Sequence, residues 1–214
     1  MLGQAADYSL TAAMDESLQN VQNDHINHTD CEENKDMPEY ERIGRELAHK
    51  GAIVEVYKDK MLLKTDGSVH DWDYIKHPGA AAVVPVDNEG NIIMVKQYRN
   101  ALGRYTIELP AGGKNADEDF ETCALRELEE ETGYKAGSHE LLCDIFTTVA
   151  LMDERIPIYL ATDLISVKQH LDPDEFLNVE KHSLNELVQM IFEGKLQDSK
   201  TICGILAYKT KKGL

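Results

Sequence analysis

The chain has 214 residues and a formal net charge of −17, from 39 Asp and Glu against 22 Lys and Arg; that length suits one ordinary domain with a tail, or two small ones. Such an excess of negative charge argues against nucleic acid and anionic membrane surfaces as partners, because both require clustered Lys and Arg. It leaves room for a small anionic substrate, since a metal and a few local cations invert the field inside a site.

Residues 1–38 are polar, acidic and nearly free of aromatic residues. They are expected to form a mostly disordered extension, with at most a weak helix around 11–21. His25, His28 and Cys31 have a spacing that zinc could use, but no fourth partner stands nearby and chance explains the spacing better. The first residues lack the basic-then-apolar pattern of a secretory signal. No apolar run reaches the ~18–20 residues that span a bilayer. Cys31, Cys123, Cys143 and Cys203 form no C-x-x-C pair, so reduced thiols in a cytoplasmic protein are expected.

From Arg45 strands dominate. Residues 45–77 hold two or three β-rich runs, with turn signals at Lys58 and Asp59 and at Asp66 and Gly67. They form a small antiparallel meander, bounded near His77-Pro78-Gly79. The apolar runs AAAVVPV and NIIMVKQYR flank a turn at 88–91 and read as central strands. Tyr105 to Leu109 forms a short strand entering Pro110-Ala111-Gly112-Gly113.

A helix then starts near Asp119 as N-cap and stops at Gly133 as left-handed C-cap. Phe120, Ala124, Leu125, Leu128 and Thr132 form its packed side, and Cys123 reads as core rather than as a nucleophile. Strands follow at about 141–148, 156–161 and 176–182. Ser183 or Asn185 opens a helix to about Glu193, and a last helix runs from about Asp198 to Lys209. The order indicates an α+β fold, with helices packed on a mixed sheet.

The segment 112–134, GGKNADEDFETCALRELEEETGY, carries the chemistry. Glu127 and Glu131 are four apart and meet on one helix face, with Glu130 beside them. Like charges at that spacing cost about 0.2–0.5 kcal/mol per pair. They also lie in the last helical turn, where the macrodipole disfavours anions by about 0.3–1 kcal/mol each. A bound divalent cation accounts for this crowding, because carboxylate oxygens are the ligands Mg²⁺ prefers. Arg126 stands four before Glu130 and can orient the carboxylates. Gly112 and Gly113 let the backbone approach metal and phosphate closely. Glu118 reads as a stabiliser of the loop and helix start.

The spacing G-x5-E-x7-R-E-U-x-E-E-x-G-U, with U bulky and apolar, is that of the Nudix box, and residues 112–134 resemble it at every fixed position, with Tyr134 in place of a final aliphatic residue. The resemblance implies a Nudix-type α/β/α sandwich preceded by the small meander. It also implies hydrolysis of a nucleoside diphosphate linked to another moiety. Glu127, Glu130 and Glu131 are then the candidate metal ligands, joined by the carbonyl of Ala111, with Mg²⁺ as cofactor and Mn²⁺ as a possible substitute. Glu130 and Arg126 take supporting catalytic roles.

Residues 42–212 further resemble the ADP-ribose pyrophosphatase branch, through MVKQYRNALGRYTIELPAGG, LDPDEFLNVEKHSLNELVQM and KLQDSKTICGILAYK. That branch implies a homodimer joined through its N-terminal strands (39–77 here, before a hydrolase domain at 78–214). The substrate it implies is a nucleoside diphosphate sugar such as ADP-ribose, split into AMP and ribose 5-phosphate. Arg99 becomes a candidate phosphate clamp, and Trp72 or Tyr74 a candidate adenine stack. Glu175 matches the place of a catalytic base, with Asp174, Asp153 and Glu154 as rivals. Val149 stands where the branch usually has a proline, so the loop 147–152 is expected to differ in shape. That bears on the choice of ADP-ribose over GDP-mannose-like sugars or dinucleotides. A non-catalytic nucleotide sensor is the alternative from another class.

Overall fold

The computed structural model describes residues 39–171 and 176–213. The expected extension at 1–38, its helix and its His25-His28-Cys31 spacing lie outside the described residues, as do Asp174 and Glu175.

The chain enters through β1 (Tyr40–Lys50), β2 (Glu55–Leu63) and β3 (Val69–Lys76), a three-stranded sheet in that order. β2 and β3 pair antiparallel from Glu55↔Lys76 to Leu62↔Val69. Asp66 and Gly67 make the turn, with Gly67 at φ 74° and the Asp66 carboxylate accepting the Ser68 amide at 2.8 Å. The other expected turn is corrected: Lys58 and Asp59 lie inside β2, and the chain turns earlier, where the Gly51 amide meets the Val54 carbonyl at 2.8 Å. Two adjacent charges read as a turn, but Asp59 is buried and takes Arg45 of β1 in a fork at 2.6 and 2.6 Å. A buried carboxylate is tolerable in a strand once a guanidinium satisfies both oxygens.

Next come β4 (Ala80–Pro85), β5 (Asn91–Arg99), β6 (Arg104–Glu108) and β7 (Ala111–Gly113). The turn between β4 and β5 is one residue earlier than expected. Asp87 accepts the amides of Glu89 and Asn91, at 3.0 and 2.9 Å, and Gly90 supplies φ 83°. Then follow α1 (Phe120–Thr132), β8 (Tyr134–Lys135), β9 (Ser138–Phe146), β10 (Arg155–Thr162), β11 (Ile165–Ser166), β12 (Leu177–Ser183), α2 (Leu184–Phe192) and α3 (Ser199–Lys212). Helix caps fall on Asp119, Ser183 and Asp198, as their side chains predict. α3 continues to Lys212, three residues further than expected, because Gly213 is the left-handed residue that ends it.

The central sheet has the order β7-β4-β10-β9, with β10 parallel to β4 and antiparallel to β9, so it is mixed. A second sheet has the order β12-β5-β6. Strand alternation sends β4 and β10 into two cores. Ala81, Val83, Tyr159 and Ala161 pack with Cys123, Ala124 and Leu128 of α1. Ala82, Val84, Ile156, Ile158 and Leu160 pack with Leu184, Leu187, Ile205 and Tyr208 of α2 and α3. Helix, sheet and helices therefore form three layers, the α+β architecture expected. Among the described residues, no helix is long and apolar enough to cross a membrane.

Candidate active site

The site forms where β7 passes the last two turns of α1. The N-cap Asp119 accepts the Thr122 amide at 2.7 Å, and Gly133 closes the helix at φ 69°. Its buried stripe is Cys123, Ala124, Glu127, Leu128, Glu131 and Thr132. Two carboxylates thus stand in a stripe that ordinary helices fill with apolar residues. Glu127 is 7% exposed and Glu131 only 2%.

Each carboxylate is held by the glycine loop. Glu131 accepts the Ala111 amide at 2.9 Å. Glu127 lies over Gly112 so closely that a Cβ there would be 2.1 Å from its carboxylate carbon. A side chain at position 112 would therefore have to displace the Glu127 carboxylate, although the φ of Gly112 is not positive. Cys123 points its thiol at the carbonyls of Gly112 and Gly113, 3.5 Å from each. Burial first, then Glu118 and Glu127, push that thiol up to about 12, so it stays protonated.

Arg126 binds the pieces together. Its Nε and Nη2 fork onto Glu118 at 2.8 and 3.0 Å, and its Nη1 donates to Glu127 and Glu130, each at 2.7 Å. Nη2 also reaches the Gly113 carbonyl at 3.2 Å. The fork holds the Glu118 carboxyl at about 2, well below the usual range, with the Asn115 amide assisting. Glu118 raises the basicity of Arg126 in turn. Part of the crowding among the carboxylates is therefore offset inside the protein; the Arg126–Glu130 contact follows from the i, i+4 spacing, whereas the reach to Glu118 does not.

The negative end of α1 is also offset by a segment that local pattern did not single out. The amides of Val167 and His170 donate to the carbonyls of Gly133 and Glu130, at 2.8 and 3.1 Å. The Gln169 side chain donates to the Glu131 carbonyl at 2.5 Å. These donors satisfy carbonyls that a helix end leaves open.

The NUDIX domain model matches residues 76–203. The chain belongs to the Nudix hydrolase family. It is 36% identical over 178 residues to an ADP-ribose pyrophosphatase of Bacillus subtilis, covering 82% of this chain and 96% of that protein. It is 37% identical over 179 residues to the methanol dehydrogenase activator of Bacillus methanolicus, with the same coverage of 82% and 96%. A crystal structure of an ADP compounds hydrolase shares the fold, with a TM-score of 0.73, 16% identity, and coverage of 82% of this chain and 95% of that one.

In this Nudix hydrolase the structure brings together Ala111, Gly112, Gly113, Arg126, Glu127, Glu130 and Glu131. Their oxygens are hard donors, which suit a hard divalent cation. Among the described residues, no three His, Cys, Asp or Glu side chains already stand as a metal cluster; Arg126 holds two of the three candidate carboxylates instead.

Arg99 ends β5 and forks onto Glu108 at 2.8 and 2.6 Å. Glu108 raises the basicity of Arg99, and Glu131 is among the more distant anions that add to it. Burial alone would raise the Glu108 carboxyl, but Arg99 and Lys200 overcome it and hold the group at about 2.

Trp72 and Tyr74 lie two apart on β3. Trp72 is 46% exposed. Tyr74 stacks on Tyr57, with centroids 5.8 Å apart, under the Arg45 guanidinium at 4.0 Å. Its hydroxyl donates to Asp153, and burial first, then Asp153, push the phenol up to about 12. Asp153 also accepts the His77 amide at 2.8 Å, and Glu154 accepts the Thr147 hydroxyl at 2.6 Å. The two rival bases among the described residues, Asp153 and Glu154, are therefore engaged where the 147–154 loop meets the end of β3.

Proposed function

We propose that this Nudix hydrolase cleaves the pyrophosphate bond of ADP-ribose or a similar nucleoside diphosphate sugar, releasing AMP and ribose 5-phosphate with Mg²⁺, or Mn²⁺ in its place. The observation that carries the reading is the buried pair Glu127 and Glu131, held against Ala111, Gly112 and Gly113. Two buried carboxylates beside a glycine loop place hard oxygens where a divalent cation and a phosphate can approach together. The relative named an ADP-ribose pyrophosphatase supports the substrate class.

Glu127, Glu130 and Glu131 would hold the cation with the Ala111 carbonyl. When bound, it supplies positive charge for the phosphate oxygens and makes water more acidic. The chain's own residues do the positioning. Arg126 fixes Glu127 and Glu130, and the Ala111 amide fixes Glu131. Arg99 faces the diphosphate, Trp72 or Tyr74 stacks on the adenine, and Glu175 takes the proton of the attacking water. The strands at 39–77 join two copies into a homodimer, a role that the exposed Ile43 and Leu47 of β1 support. The site of action is cytoplasmic.

Incubation of the pure chain with ADP-ribose and Mg²⁺ should release AMP, and a panel of nucleotide sugars and dinucleotides should rank ADP-ribose first. No AMP from any of them would overturn the reading. The relative named a methanol dehydrogenase activator favours a second reading, in which the chain modulates a partner enzyme. A Glu131→Gln variant separates the two: an enzyme loses turnover by orders of magnitude and keeps its ligand, whereas a purely regulatory module has no turnover to lose.

A further inference from the structure

Glu108 is 2% exposed and three residues before Ala111. A carboxylate offers about four lone-pair positions, and here four donors fill them. Oε1 accepts Arg99 Nε at 2.8 Å and the Thr106 hydroxyl at 2.5 Å. Oε2 accepts Arg99 Nη2 at 2.6 Å and Lys200 Nζ at 2.5 Å. Lys200, itself 8% exposed, is shared with Asp198 at 2.9 Å. A carboxylate saturated in this way cannot rotate, so the guanidinium forked onto it cannot rotate either.

Arginine has five N–H donors. The fork uses Nε and Nη2 and leaves three N–H groups, two of them side by side on the edge shared by Nη1 and Nη2. The Arg99 side chain is 39% exposed, whereas that of Glu108 is 3% exposed. The Glu108 end of the pair is thus sealed, while part of the Arg99 side chain is open to solvent. In a chain of net charge −17, a fixed cation with two unused donors side by side is what a diphosphate needs for a bidentate contact.

We infer that Glu108 is a positioning residue that presents the Nη1–Nη2 edge of Arg99 to the substrate diphosphate. This rests on the reading of Arg99 as the phosphate clamp. Its chemistry is anion recognition, so it can be read by binding alone.

The test is titration calorimetry with ADP and Mg²⁺, alongside steady-state kinetics. Glu108→Gln keeps the shape and removes the charge. It should weaken ADP about tenfold, the size of one lost charge-assisted hydrogen bond, and raise KM more than it lowers kcat. In an Arg99→Ala background the same change should have no further effect, because Glu108 acts through Arg99. Arg99→Lys keeps the charge but loses the fork, and should weaken ADP as Glu108→Gln does, which gives a reading even if Glu108→Gln does not fold. Wild-type affinity in Glu108→Gln or in Arg99→Lys overturns the inference. So does a full effect of Glu108→Gln in the Arg99→Ala background, or a wild type that binds no ADP. If ADP binds with the expected dependence on Glu108 but no nucleotide sugar is cleaved, the inference stands and the hydrolytic reading falls.

Discussion

Replacing Gly112 by alanine adds one methyl group where Glu127 already lies. The new Cβ would stand 2.1 Å from the Glu127 carboxylate carbon and Oε1, and 2.4 Å from Oε2. Gly112 is not among the positive-φ glycines, so the backbone accepts alanine and the methyl group acts alone. Restoring a 3.0 Å contact moves the carboxylate by about 0.9 Å. That breaks its 2.7 Å bond to Arg126. A charge-assisted hydrogen bond contributes about 1.5–3 kcal/mol. Arg126 is partly exposed and keeps Glu118 and Glu130, so the net loss should be about 1 kcal/mol, or ~2–4 °C in Tm for a chain of this size. Activity should suffer far more, because displacing a positioned group by about 1 Å can lower the rate about 10²-fold. Release of AMP from ADP-ribose gives kcat/KM, and calorimetry gives Tm. A variant that keeps kcat/KM within about threefold of the wild type would refute the claim that the Gly112–Glu127 contact sets the working geometry.

Gly204 packs α3 onto the sheet, where an added Cβ would lie 2.6 Å from Leu109 Cδ1, 3.1 Å from Val84 and 3.2 Å from Ile158. Gly204→Ala should cost about 1–3 kcal/mol from overpacking, less up to ~1 kcal/mol regained in helix propensity, and calorimetry should show a lower Tm. The Glu118 carboxyl is depressed from an ordinary 4.5 to about 2 by Arg126, so its stabilisation is complete above about 4.5 and is lost as pH falls towards 2. Urea unfolding should therefore show a stability gap between wild type and Glu118→Gln that is widest at neutral pH and closes across that window; a gap independent of pH would refute it. Cys123, buried with its thiol near 12, should resist iodoacetamide at pH 8 in the folded protein and react only after unfolding, as mapped by mass spectrometry.

The helix that carries Glu127 and Glu131 was legible because its signals are local. Asp119, Gly133 and the i, i+4 pair Glu127 and Glu131 lie within one short segment, and caps and helical spacing act over that range. The buried strands around Val83 and Met94 were legible from their apolar runs for the same reason. The misread turn at Lys58 and Asp59 shows the limit: a charged dipeptide looks like a turn until Arg45, fourteen residues earlier, supplies its partner. The short pairings of β7, β8 and β11 carry too few residues to show a period.

By itself the sequence determined the family, the capped helix at 120–132 and the identities of its carboxylates, since these depend on residue type at fixed spacing along one segment. Only the tertiary structure decided which partner each charge takes. Arg126 reaches back to Glu118 as well as to its own helix, Glu127 lies directly over Gly112, and Arg99 forks onto a Glu108 that also meets Lys200. Glu108 and Lys200 are 92 residues apart. A pairing at that separation is set by which strand lies under which helix, and no local periodicity encodes it.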